Sequence, residues 1–121
     1  MLLVAVGGAL GAVARWLVQE WLLPRSALFP LSTFVINVSG CFFIGAFVAA
    51  AAGHAGWPEQ IRLLFPIGFV GAYTTFSSYQ LQLFQLIERG AWGVAAAYFT
   101  GSNLAGFAGV ALGIYLGKHV L

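Results

Sequence analysis

The chain has 121 residues, of which 61% are hydrophobic and only 7% charged, with a net charge of +2 and a mean hydropathy of +0.95. A soluble domain carries about 25% charged residues, so a globule of this composition would lack the polar surface that water requires. The scattered basic residues exclude a nucleic-acid footprint. The lone Cys41 excludes an intrachain disulfide.

The expected architecture is an all-α membrane protein of four spans in a single transmembrane domain, residues 1–121. The first span covers about 2–23, with Trp16 and Trp21 as interfacial anchors and Pro24 as its stop. It lacks the positive flank of a cleavable signal and is too long for one, so it is expected to remain as a helix. The second covers about 32–52 and holds one strongly polar residue, Asn37. The third covers about 59–89, and its middle reads Gly68-Phe69-Val70-Gly71-Ala72-Tyr73-Thr74-Thr75-Phe76-Ser77-Ser78-Tyr79. Two glycines before a run of hydroxyls make a poor continuous helix, so a break is expected there. Open backbone at membrane depth is tolerated only inside protein or beside a wet cavity.

The fourth span covers about 91–118. Positions 93, 97, 101, 105, 109, 113 and 117 are all Gly or Ala, a repeat that allows another backbone to approach closely. Gly7 and Gly11 form a shorter version in the first span. Helix packing is the expected use of both stripes. His54 and His119 fall in a loop and at the C-terminus, where solvation is expected.

No paired carboxylates, His/Cys cluster or nucleophile with a base is present in the sequence, so no enzyme is expected. The polar groups at membrane depth are the informative ones. Asn37 reads either as an interhelical hydrogen bond or as a pore donor, since an amide NH2 solvates an anion. Phe76 and Tyr79 share a helix face at i, i+3. They are either plain packing aromatics or a source of electropositive ring edges. The hydroxyls of Thr74, Thr75, Ser77 and Ser78 either bond their own backbone or line a path. Arg15 either snorkels to the interface, or raises anion concentration at a pore mouth.

Loop charge is nearly balanced. Arg62 and Lys118 fall on one side, Arg25, Arg89 and the end-of-span Arg15 on the other. Basic asymmetry sets orientation, so dual insertion and antiparallel pairing of two copies are open to this chain.

Together the motifs resemble the Fluc (CrcB) fluoride channels. Gly7-Gly8-Ala9-Leu10-Gly11-Ala12-Val13-Ala14-Arg15 is similar to the family's GGxxGAxxR. Thr33 through Asn37 to Gly40 and Gly45 is similar to its TxxxNxxGxxxxG. Gly68 to Ser77 is similar to its GfxGgfTTFS, the most specific of the three. The resemblance implies a dual-topology antiparallel homodimer in a microbial plasma (inner) membrane. Two pores per dimer would export fluoride passively down its gradient. It implies a structural sodium ion at the dimer centre, on the backbone carbonyls of Gly71 and Thr74. Asn37, Phe76 and Tyr79 would line the fluoride path with the Thr75 hydroxyl beside them. Tyr98 and Ser102 would lie along it, and Arg15 would serve a vestibule.

One position departs from the pattern. The family has Phe where this chain has Tyr79. The added hydroxyl is neutral and must find a partner when buried, with Ser or Thr oxygens, water or the ion as candidates. A proton-coupled small multidrug transporter also has four spans, but needs a midmembrane carboxylate. Glu20, Glu59 and Glu88 all lie near span ends. A non-transporting scaffold held by the glycine stripes is the remaining alternative.

Overall fold

A computed structural model describes residues 1–53 and 57–120. His54 lies outside the described residues. Every regular element among these residues is helical: α1 (Leu2–Leu22), α2 (Leu31–Gly53), α3 (Glu59–Arg62), a π-helix (Leu63–Val70), α4 (Gly71–Tyr73), α5 (Phe76–Glu88) and α6 (Trp92–His119). Three helical stretches, Leu2–Arg25, Leu31–Gly53 and Trp92–His119, are long and apolar enough to cross a membrane by length and composition. The remaining crossing is assembled from α3, the π-helix, α4 and α5.

Polarity is inverted relative to a water-soluble fold. Phe107 is 78% exposed and Trp16 58%, whereas Thr33 is fully buried. Apolar faces of this extent suit hydrocarbon, not water.

The chain leaves the α-helix at Leu22, just ahead of Pro24. It tightens into a 3-10 turn, Leu23–Arg25, where the proline's missing N–H is no loss. The Ser26 hydroxyl then donates to the Leu22 carbonyl at 2.9 Å and accepts from the Ser32 N–H at 3.2 Å, fixing the entry to α2. At the other end, Gly90 has φ 73°. Gly90 N–H donates to the Ile87 carbonyl and Ala91 N–H to that of Leu86, both at 2.9 Å. This pair of bonds closes α5 with a left-handed residue, which glycine adopts without penalty, and returns α6 against α5.

The glycine stripes divide. In α6, a Cβ at Gly113 would collide with the Phe42 carbonyl and one at Gly109 would lie 3.0 Å from the Val38 carbonyl, so α2 and α6 touch backbone to backbone. At the start of the stripe the helix is open, since nothing among the described residues lies within 4 Å of a Cβ at Gly93. In α1, Cβ atoms at Gly7 and Gly11 would strike the carbonyls of Leu64 and Phe69, so α1 lies directly on the π-helix. Pro66 sits inside that π-helix. Its ring excludes a normal i−4 bond, and the wider turn accommodates it.

Candidate functional site

The third crossing breaks at Thr74–Thr75 and not at its glycines. Gly71 remains helical, with φ −60° and ψ −36°. Thr74 turns extended at ψ 156°, and Thr75 follows with φ −149° and ψ 108°. Thr74 still belongs to the turn before it, with its N–H and its hydroxyl both donating to the Val70 carbonyl at 3.1 Å. Thr75 restarts the chain as the N-cap of α5: its hydroxyl oxygen accepts from Ser78 N–H at 3.3 Å. The same hydroxyl donates to the Ser78 hydroxyl at 3.0 Å.

Asn37 holds the break open. Its Nδ2 donates to the Thr75 carbonyl at 3.0 Å, and its Oδ1 accepts from the Thr75 N–H at 2.8 Å. One amide therefore serves both backbone groups of a residue that is only 7% exposed. Thr75 N–H is also the group that would serve the Gly71 carbonyl in an unbroken α-helix. Its diversion to Asn37 leaves that carbonyl without its helical donor. From α1, the half-buried Arg15 reaches the Thr74 carbonyl through Nη1 at 3.5 Å.

Beside the break lies a groove of about 430 Å³. Asn37, Thr75, Phe76, Tyr79 and Ser102 line it, together with Gly71 and Thr74. The rings of Phe76 and Tyr79 lie 5.9 Å apart, and Phe76 is 72% exposed. The Ser102 hydroxyl is buried and has no hydrogen-bond partner among the described residues. The first turn of α5 opens on the same groove. Its leading N–H groups lack helical partners and its dipole favours negative charge. No carboxylate lines the groove, and Glu20, Glu59 and Glu88 are exposed elsewhere. Beside the apolar Ile44, Pro66 and Val70, the lining carries amide and hydroxyl groups, aromatic rings and a helix N-terminus, a set suited to an anion.

Tyr98 is placed differently from the other expected pore residues. It is fully buried behind Tyr79, with ring centroids 5.0 Å apart at 73°, and its hydroxyl donates to Gln82 Oε1 at 2.8 Å. An edge-to-face contact with Phe29, at 5.3 Å, completes its enclosure, so it supports the groove wall without lining it. Sequence reasoning missed Asn103, which lines the groove one residue past Ser102. The signal was the one that marked Asn37: a lone amide within an apolar span. Cys41, one turn beyond Asn37, also lines it. The Tyr79 hydroxyl finds α6, not a Ser or Thr oxygen. It lies 3.5 Å from the Phe99 carbonyl, to which it donates, and 3.4 Å from Asn103 Nδ2, from which it accepts.

Residues 2–114 match the family described as CrcB-like protein, Camphor Resistance (CrcB). The chain belongs to the CrcB family. Three similar relatives carry the name fluoride-specific ion channel FluC. That of Acidobacterium capsulatum is 41% identical over 119 residues, covering 98% of this chain and 95% of the relative. That of Nitrobacter winogradskyi is 42% identical over 120 residues, covering 96% and 93%. That of a Hydrogenobaculum species is 43% identical over 116 residues, covering 96% and 95%. The CrcB match runs through α1, α2, the break and most of α6, so it includes every groove residue named above. It places this multi-pass membrane protein among ion channels and not among enzymes.

Proposed function

We propose that this chain is a fluoride channel, carrying fluoride passively down its electrochemical gradient. The observation that carries the reading is the gathering of Asn37, Thr75, Phe76, Tyr79 and Ser102 around one groove at the helix break. Bringing a small ion into low dielectric costs on the order of 20 kcal/mol in the idealised limit. Fluoride is compact and strongly hydrated, so the path must replace water with donors. It must also hold the ion weakly enough to release it. Several neutral donors meet both demands better than a buried guanidinium. Arg15, at the edge of the break, raises the local anion concentration without blocking the path. In a bacterium stripped of fluoride export, expression of this chain should restore growth in fluoride. Growth no better than with empty vector would contradict the reading.

The functional unit we propose is an antiparallel dimer with two pores in a microbial plasma membrane. The balanced loop charges support it. So does the open groove, whose rim includes the exposed Phe76 and Gly71 and would be closed by a second copy.

A sodium ion on the carbonyls of Gly71 and Thr74 belongs to the same proposal. The residues fit it: the Gly71 carbonyl has lost its helical donor, and the Thr74 carbonyl accepts a long contact from Arg15. Neutral carbonyl oxygens in a dry interior need partners. A hard monovalent cation supplies one, bridging two breaks and locking the subunits. Exchanging sodium for a large organic cation should lower the dimer fraction or the fluoride flux. Unchanged values of both after exhaustive exchange would remove sodium from the account.

A further inference from the structure

Tyr79 lines the groove, and three contacts determine where its hydroxyl points. Asn103 Nδ2 donates to the Phe99 carbonyl, one turn back on its own helix, at 2.8 Å. That bond fixes the Asn103 side chain against α6. The same Nδ2 lies 3.4 Å from the Tyr79 hydroxyl, which in turn donates to the Phe99 carbonyl at 3.5 Å. The phenol is thereby supplied with a donor and an acceptor, both from α6. Tyr79 is 6% exposed, and its ring contacts Phe76 on one side and Tyr98 on the other.

We propose that Asn103 is a positioning residue for ion passage: it ties the Tyr79 hydroxyl to the Phe99 carbonyl, so that the ring and not the hydroxyl meets the ion. The inference rests on the fluoride-channel reading and deepens it. A phenol free to rotate into the groove would be a strong added donor. It would bind fluoride more tightly and release it more slowly. Tied to α6, the tyrosine serves as a phenylalanine would. Removal of the tether therefore acts through the hydroxyl, and has nothing to act on where the hydroxyl is absent.

The test is a double-mutant cycle read by fluoride efflux from proteoliposomes at varied internal fluoride. Tyr79→Phe supplies the background without the hydroxyl, and its own rate and half-saturating concentration are the reference there. Asn103→Leu should lower both the half-saturating concentration and the maximal rate, by roughly two- to tenfold for one released hydrogen bond. In the Tyr79→Phe background, Asn103→Leu should change neither. A merely structural Asn103 would depress the maximal rate equally in both backgrounds. Equal effects in both would overturn the inference. Should Asn103→Leu not fold, Asn103→Ser, too short to reach the phenol, should show the same dependence on Tyr79. Wild-type vesicles that retain fluoride as empty ones do would overturn the conduction reading and this inference with it. Flux with additive effects would overturn the inference alone.

Discussion

Asn37→Leu is expected to abolish most conduction while leaving the helices inserted. Leucine is nearly isosteric with asparagine, so packing between α2 and the break is retained. What is lost is the pair of bonds to the Thr75 N–H and carbonyl, at 2.8 and 3.0 Å. Each buried backbone group left unpaired costs about 1–3 kcal/mol. The break relieves that cost by reforming helical bonds or admitting water, and either movement dismantles the groove wall. A cost of this size corresponds to a loss of flux on the order of a hundredfold, at about 1.4 kcal/mol per factor of ten. Asn37→Asp separates the two bonds. Its carboxylate still accepts from the Thr75 N–H but has no donor for the Thr75 carbonyl, and it sets a negative charge beside the groove. It should also fail. Efflux from Asn37→Leu within threefold of wild type, in protein that elutes normally on gel filtration, would show the clasp to be dispensable.

Gly113→Val should be among the most damaging substitutions for assembly of the fold. A single Cβ at Gly113 already collides with the Phe42 carbonyl and comes within 2.8 Å of the Ala46 N atom. Both obstacles are backbone, so no side-chain rotation relieves the overlap, and α6 must move away from α2. Overpacking in a filled interior costs about 1–3 kcal/mol, and valine adds two further carbons to the collision. Gly93→Val is the matched control, since nothing among the described residues lies within 4 Å of a Cβ there. Thermal aggregation in detergent should show a large loss for Gly113→Val and little for Gly93→Val within one chain. A drop for Gly93→Val as large as that for Gly113→Val would place a second helix against the start of the stripe. No drop for Gly113→Val would contradict the close α2–α6 packing.

What could be read from the sequence was whatever has a compositional signature. Long apolar runs marked the uninterrupted crossings, and the four-residue glycine spacing marked the closely packed face of α6. A lone amide in an apolar helix marked Asn37. The location of the break was less legible, because local glycine propensity competed with a tertiary interaction. Gly68 and Gly71 are weak helix formers, yet both stay helical, Gly68 against the backbone of Val4 and Gly7 in α1 and Gly71 while exposed. Thr74 and Thr75 leave the helix because Asn37, from 38 residues away, supplies replacement bonds. The π-helix around Pro66 was likewise invisible to periodicity, although proline inside an apolar span signals a local distortion. Tyr98 has the chemistry of a lining residue. Its burial depends on Phe29, from the loop before α2, and on Gln82, neither of which lies near it in sequence.

The account stands or falls on fluoride crossing a membrane through this chain. The most direct measurement is ion efflux from liposomes holding purified protein, followed with a fluoride electrode. Potassium permeability is supplied to balance charge and no pH gradient is imposed. The account predicts rapid fluoride release to completion, with chloride-loaded vesicles releasing little under the same conditions. Fluoride release no faster than from protein-free vesicles, or release that requires a proton gradient, would contradict it.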